Sequence, residues 1–346
     1  MAVLTMAPGS RSYDITVQRN ALSRVGELFD LDRRVLILTD SGVPAQYVQA
    51  AAGACRTPFI MTVQAGEASK SPECWLRVLS RMAEYGFDRH DCLVSVGGGV
   101  VGDLGGFAAA CYMRGIDFYQ VPTTLLSQVD SSIGGKTAID LDGYKNQVGA
   151  FWQPAGVLID PDVLDTLDAR QFACGMAEII KMFALYDGEM FARLERAGAA
   201  LPADRALTEE VVLRALAIKK RVVEADETES GLRKVLNFGH TVGHAIESVS
   251  AESGAPLFHG ECVGLGMLCV THGTVRERIA GLIKQYGLPL TFRGRADALF
   301  DAITHDKKSS GGVLTTVRVP EIGRFTFEQT TAADLLRESR EVLDLL

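Results

Sequence analysis

The residues best suited to chemistry cluster in the second half of the chain. His240 and His244 lie four apart in NFGHTVGHAIES, so on a helix they face the same way. Downstream, FHGE supplies His259 and Glu261. Upstream, GMAEIIK sets Glu178 and Lys181 in an apolar helical run. A carboxylate there is costly unless it is paired or binds a metal. Two histidines and one glutamate make a catalytic zinc set that keeps a position open. Thr241 and Val242 follow His240, so the H-E-x-x-H pattern of zinc proteases is excluded. Spacing leaves two ligand pairs open. One is His240 with His244; the other is His240 with His259, which frees His244 for proton transfer. Core or capping histidines without a metal are the plainer alternative. His90, His272 and His305 read as surface or loop residues and receive no role.

A second chemical signal is SVGGGVVGDLGGFAAACYMRG. The apolar run Cys92 to Val96 feeds into Gly97, Gly98 and Gly99, and Ala-rich sequence follows. Strand, glycine turn and helix aim backbone N–H groups and a positive helix end at a phosphate. Gly97, Gly99 and Gly102 fit G-x-G-x-x-G, a pattern that close packing alone also produces. Further along come Arg114, Asp130 and Lys136, with Gly134 and Gly135 beside the lysine. Lys136, Lys145 and Arg233 each sit beside glycines in loop-like settings. There they can clamp carboxylate and phosphate groups. Lys220 and Arg221 read as a solvated helix face.

These groups need elements to hold them. Strand-like runs at Ser12–Gln18, Arg34–Thr39, Phe59–Val63, Cys92–Val96, Phe118–Val121 and Val157–Ile159 alternate with helical spacing at Val43–Ala54, Ser71–Tyr85 and Val100–Tyr112. This predicts a mostly parallel sheet with helices on its faces. Beyond residue 160 helical spacing dominates: Gln171–Leu185, Asp187–Ala197, Thr208–Asp226, Leu236–Ser250, Glu261–Ala280 and Ala332–Leu345, with a late hairpin at Val313–Phe327. The expected fold is a Rossmann-like α/β nucleotide-binding domain over 1–165 and an all-α metal- and substrate-binding domain over 166–346. The cleft between domains is the default site. Several strands precede the glycine turn, and no acidic residue closes a strand some 20 residues later, so the topology departs from a standard Rossmann start.

Composition narrows the classes. The 346 residues carry a net charge of −8 and 47% apolar content, which argues against non-specific nucleic-acid binding. No signal peptide is apparent, and no apolar run of about 18 residues predicts a membrane span. Seven cysteines without a C-x-x-C read as reduced thiols of a cytoplasmic protein.

Taken together, the ordered stretches AGEASK, GGGVVGDLGGFAAACYMRG, QVPTTLLSQVDSSIGGKTAID, KNQVGAFWQP, GMAEIIK, ADETESGLRKVLNFGHTVGHAIE and HGE resemble the 3-dehydroquinate synthases across residues 12 to 310. The resemblance implies an NAD- and zinc-dependent lyase, with cobalt as the other candidate metal. It would cyclise 3-deoxy-D-arabino-heptulosonate 7-phosphate to 3-dehydroquinate and phosphate, a step of the shikimate pathway toward aromatic amino acids. It further implies zinc ligands Glu178, His240 and His259, with His244 handling protons. Asp130 would lie near the nicotinamide and reacting hydroxyls. The substrate clamp would be Lys136, Asn146, Lys181, Lys219, Arg233, Asn237 and Lys307 or Lys308. Lys219 and Arg233 are expected near the carboxylate, Lys136 and Asn146 near the phosphate. Arg114 would reach the neighbouring subunit's site in a homodimer. For NAD the matches are Asp40, Glu67, Lys70, Gly98, Gly99, Asp103, Thr123, Thr124, Lys145 and Thr166.

One departure is Tyr144, which stands where many members have glycine before the Lys-Asn pair. Sister cyclases making 2-epi-5-epi-valiolone or 2-deoxy-scyllo-inosose share much of the pattern. Asn237 and the basic pair Lys219 and Arg233 favour a substrate with a carboxylate. A metal-dependent alcohol or polyol dehydrogenase, and a non-catalytic NAD-binding module, are the more distant alternatives.

Overall fold

The computed structural model describes residues 1–251, 254, 256–305 and 313–346. Contacts divide the chain into two units, Met1–Asp168 with Lys220–Thr228, and Ala169–Lys219 with Glu229–Leu346.

The first unit is an α/β layer structure. Its elements are β1 (Ala2–Met6), β2 (Tyr13–Val17), α1 (Val25–Leu28), β3 (Arg34–Asp40), α2 (Ala45–Gly53), β4 (Thr57–Val63), α3 (Pro72–Glu84), β5 (Cys92–Gly97), α4 (Gly99–Cys111), β6 (Asp117–Pro122), β7 (Lys136–Leu141), β8 (Tyr144–Phe151) and β9 (Gly156–Ile159). Seven strands form one sheet in the order β1-β2-β9-β6-β5-β3-β4. All its pairs are parallel except β1 with β2. Strand residues are buried on both faces, so the sequence shows apolar runs rather than alternation. Val35, Ile37, Val94 and Val96 pack with Tyr47, Val48 and Ala51 of α2. Leu36, Leu38 and Leu93 pack on the other face with Val78 and Met82 of α3 and Leu104 and Ala108 of α4.

The order places β4 on one side of β3 and β5 on the other. The direction in which successive strands are laid down therefore reverses between β3 and β5, the switch point at which open α/β sheets take ligands outside their carboxyl ends.

β1 and the antiparallel β7–β8 pair carry no strand expectation in the sequence reading. The hairpin turns at Asp142 (φ +49) and Gly143 (φ +83), the two-residue Asp-Gly turn of tight hairpins. It packs on α4, where a Cβ on Gly106 would meet the Thr137 methyl at 2.4 Å. Lys136 and Lys145 therefore lie on paired strands, a correction to the loop-like setting expected for them.

The second unit is mainly helical: α5 (Ala169–Tyr186), α6 (Gly188–Ala197), α7 (Arg205–Ala225), α8 (His240–Ala251), α9 (His259–Cys269), α10 (Gly273–Gln285), β10 (Arg293–Gly294), α11 (Ala296–His305), β11 (Val313–Glu321), β12 (Arg324–Thr331), α12 (Ala332–Ser339) and β13 (Asp344–Leu345). The last turns of α7 belong by contact to the first unit, because Ala7 N–H donates to Glu224 at 2.7 Å and Gln153 to Glu227 at 2.9 Å. The helix expected over Glu261–Ala280 is two helices, α9 and α10, separated at Val270–His272. The final helix ends at Ser339 rather than Leu345, and its successor residues Asp344–Leu345 pair with β10.

Candidate active site

Three helices of the second unit meet through glycines. A Cβ on Gly260 of α9 would stand 2.3 Å from the Cys174 carbonyl oxygen of α5. One on Gly266 of α9 would stand 1.9 Å from the Gly239 carbonyl oxygen just before α8. No side chain fits at either approach. Gly239, at φ +78, also makes the turn that lets α8 begin at His240.

This packing brings together residues far apart in sequence. Glu178 of α5 is 1% exposed, and its Oε1 has no hydrogen-bond donor. Two imidazole nitrogens face that oxygen, His240 Nε2 at 3.6 Å and His259 Nε2 at 3.7 Å. Both distances are too long for hydrogen bonds. They are close to the roughly 3.3 Å that separates two ligands of a tetrahedral zinc with ~2.0–2.1 Å bonds. The other ring nitrogens are held. His240 Nδ1 lies 3.1 Å from the Phe238 carbonyl oxygen, and His259 Nδ1 lies 3.2 Å from Glu247 Oε2. Both partners only accept, so each Nδ1 carries a proton and each Nε2 faces Glu178, the His240 Nε2 with its lone pair and the His259 Nε2 open to a metal once its own proton leaves. His244 joins the group, with a ring nitrogen within 4.8 Å of one on each of the other two histidines. The donor set fits a metal.

The charges agree with this geometry. Lys181, also 1% exposed, forms an ion pair with Glu178 Oε2. Burial works to raise the Glu178 pKa, but Lys181 and then the imidazoles hold it well below the carboxylate range. Burial, followed by the Lys181 charge, drives His240 well below its ordinary value and keeps it neutral. Burial works against the His259 cation too, yet the facing Glu178 carboxylate and the hydrogen bond to Glu247 lift its pKa to about 10. Without metal, His259 therefore carries a proton at the position a cation would take.

In the first unit, Asp40, Gly98, Gly99, Thr123 and Thr124, five of the expected cofactor residues, lie at the carboxyl ends of β3, β5 and β6. Asp40 ends β3, and its Oδ1 accepts the Gly42 N–H at 2.7 Å. Gly98 precedes α4, and no side chain caps that helix. Its N-terminal N–H groups can take a phosphate. Thr123 N–H donates to the Gly97 carbonyl at 3.0 Å, tying β6 to β5. Thr124 exchanges hydrogen bonds with Ser127. Among the described residues, Thr39 Oγ1 and Ser131 Oγ are buried without a partner, and Ser131 Oγ lies 3.0 Å from where a Gly99 Cβ would be. An open helix start beside unpaired buried hydroxyls fits a dinucleotide phosphate.

Other glycines of the motif serve packing. A Cβ on Gly102 would meet Gln120 at 2.7 Å, and one on Gly105 would meet Ser95 at 2.2 Å. Lys70, 5% exposed, pairs with Asp103 at 2.6 Å, hydrogen-bonds Asn146 Oδ1, and lies 3.8 Å from Glu67. Thr166 hydroxyl lies 2.9 Å from Tyr47 Oη.

The sequence comparisons agree with one another. Residues 60–174 match the model described as 3-dehydroquinate synthase N-terminal, and residues 175–309 match that described as 3-dehydroquinate synthase C-terminal. A 3-dehydroquinate synthase of Caulobacter vibrioides is 45% identical over 341 residues, covering 91% of each chain. One of Enterococcus faecalis is 43% identical, over 93% of this chain and 94% of its own. The chain belongs to the 3-dehydroquinate synthase family. Among solved structures, a 2-epi-5-epi-valiolone synthase of Streptomyces hygroscopicus with NAD+ and Zn2+ bound is similar at TM-score 0.87 and 27% identity, over 96% of each chain. A 2-deoxy-scyllo-inosose synthase shares the fold at TM-score 0.88 and 24% identity, over 99% of this chain and 100% of its own.

Against the family's pattern, the remaining expected residues lie as follows. Asp130 occupies a wide turn closed by Ser132 N–H to the Ser127 carbonyl at 3.2 Å, the single-turn π geometry frequent at functional sites. Lys219 and Arg233 are 5% and 3% exposed, unlike ordinary surface cations. Asn237 donates to Glu229 Oε1 at 2.6 Å. Asn146 has φ +56, and its N–H donates to Asp140 at 2.8 Å. Arg114 is exposed on a turn where it and Met113 both have positive φ, +70 and +48. Lys307 and Lys308 lie outside the described residues. Tyr144 is 60% exposed beside the hairpin turn.

Glu261, first noted beside His259, is no candidate ligand. It takes two hydrogen bonds from Arg170 at 2.7 Å and one from Phe258 N–H at 2.7 Å. Glu247 was missed. Its signal was present, since it lies three residues past His244 and on the same helix face as His240.

Proposed function

We propose that this chain converts 3-deoxy-D-arabino-heptulosonate 7-phosphate to 3-dehydroquinate and phosphate, the cyclisation of the shikimate pathway, using NAD and zinc or cobalt. The observation that carries this reading is the convergence of two fixed Nε2 atoms on one unpaired buried oxygen of Glu178, at 3.6 and 3.7 Å. Glu178, His240 and His259 would hold the metal. When bound, the metal polarises the substrate hydroxyl, and NAD removes a hydride there and later returns it.

The chain's own groups do the rest. His244, beside the ligand histidines, moves protons at the oxidised hydroxyl. Lys181 balances the Glu178 charge and, with Asn237, orients substrate hydroxyls. Lys219 and Arg233 hold the carboxylate, Lys136 and Asn146 hold the phosphate until it leaves, and Lys307 or Lys308 completes the clamp. Asp130 would serve the nicotinamide end of the cofactor, and Gly98 and Gly99 would hold its phosphates. Asp40, Glu67, Lys70, Asp103, Thr123, Thr124, Lys145 and Thr166 complete the cofactor set. By this reading the first unit is the NAD-binding domain, and the second binds metal and substrate. Arg114, on its exposed turn, serves the neighbouring site of a homodimer. Among the described residues no helix is long and apolar enough to cross a membrane, and the cytoplasm is the proposed location.

The test is product identification. With zinc and NAD, the heptulosonate phosphate should give equimolar phosphate and 3-dehydroquinate with no net NADH. No phosphate release overturns the reading. Steady NADH accumulation would instead indicate a polyol dehydrogenase.

A further inference from the structure

We propose that Glu247 is the positioning residue that aims His259 at the metal. This rests on the reading of Glu178, His240 and His259 as ligands. The two histidines are anchored by unequal means. His240 is 13% exposed and holds its Nδ1 proton against a backbone carbonyl, that of Phe238 at 3.1 Å. His259 is 35% exposed and opens α9, so packing fixes its ring less. Its Nδ1 instead meets Glu247 Oε2 at 3.2 Å. The Glu247 side chain is 13% exposed, so its carboxylate is shielded and competes little with water.

With Nδ1 fixed in this way, Nε2 faces Glu178 Oε1 at 3.7 Å. Glu247 sits on α8, the helix that begins with His240 and carries His244 on the same face. One helix thus bears one ligand and the group that orients the other. A carboxylate acceptor also acts on the ring more strongly than a neutral carbonyl does. It strengthens the imidazole's donation to a cation, and loss of such partners typically lowers metal affinity about 10–100-fold.

The experiment compares the NAD-loaded zinc enzyme with Glu247→Gln, Glu247→Ala and His259→Ala. Zinc dissociation constants come from competition with a chromophoric chelator. Visible spectra of the cobalt forms report ligand geometry, and thermal melts of the zinc-stripped proteins report folding. Glu247→Gln keeps an acceptor of the same shape and should bind zinc about tenfold more weakly, while its stripped form, which loses the charge facing the His259 cation, still melts cooperatively. Glu247→Ala should lose affinity about 10–100-fold and shift the cobalt bands. If Glu247→Ala misfolds, Glu247→Gln decides. Wild-type zinc affinity and cobalt spectra in the Glu247 variants, with zinc lost in His259→Ala, would overturn the inference and leave the ligand reading intact. Zinc retained at full affinity in His259→Ala would overturn the ligand reading itself.

Discussion

At the carboxyl ends of β3, β5 and β6 the chain offers chiefly backbone: an uncapped helix start at Gly98, and a Thr123 N–H fixed to the Gly97 carbonyl at 3.0 Å. On α5, α8 and α9 it offers buried side chains, each fixed by a second residue. The first kind of site follows from topology, because any parallel sheet with a switch point leaves a crevice there. The second requires three helices to meet within the thickness of a backbone. Glycines serve both, for opposite reasons. Gly98 leaves room for something to approach, whereas Gly260 and Gly266 remove the room that a side chain would need.

The largest effect should come from the side-chain site. Glu178→Ala should lower turnover by roughly 10³-fold or more and abolish zinc binding, as measured by phosphate release and metal stoichiometry. Activity close to wild type would remove the metal centre from the comparison. Next comes packing. Gly266→Ala sets a methyl 1.9 Å from a carbonyl oxygen and should cost about 3 kcal/mol or more in urea unfolding. Gly98→Ala meets only the Thr124 methyl at 3.2 Å, so it should unfold much as wild type while NAD titration shows weaker binding. Equal stability losses in the two variants would erase the distinction between open and filled glycines.

Zinc affinity should also depend on pH. His259 is raised from 6.5 to about 10. Its proton therefore stabilises the metal-free fold fully below about pH 6.5, and that contribution fades as pH rises toward 10. Zinc must displace the same proton. Its affinity should climb by up to about tenfold per pH unit through this window, as chelator competition at several pH values would show. A flat profile would place the proton elsewhere. The smallest effect on folding is expected at Asn146, held at φ +56. Asn146→Gly and Asn146→Ala both lose the hydrogen bond the amide accepts from Lys70, so the positive φ shows in their difference: Asn146→Ala should be about 1 kcal/mol less stable than Asn146→Gly in urea unfolding. Both should lose similar activity if the amide, rather than the backbone, does the work.

The α/β half was legible because buried parallel strands leave solid apolar runs such as Arg34 to Thr39. The histidine cluster was legible from residue type, though spacing alone could not choose between His244 and His259 as the second proposed ligand. That choice depends on where α9 crosses α8, which no local pattern encodes. The β7–β8 hairpin escaped because β8 is mostly exposed and only Val148 and Ala150 mark its packed side, although Asp142-Gly143 announced its turn. The break between α9 and α10 escaped because Val270 and Thr271 are buried and prolong the apolar pattern. Glu247 escaped because an acidic residue on a helix usually faces water.

The passage of α7 from one unit to the other bears on recombination between relatives. A crossover near residue 168 falls at a unit boundary, yet it draws Glu224 and Glu227 from the second parent. In the native chain these glutamates accept hydrogen bonds from Ala7, Ser10 and Gln153 of the first. A functional chimera must inherit residues 220–228 together with the N-terminal half, so the heritable module is discontinuous even though the chain is read as two consecutive halves.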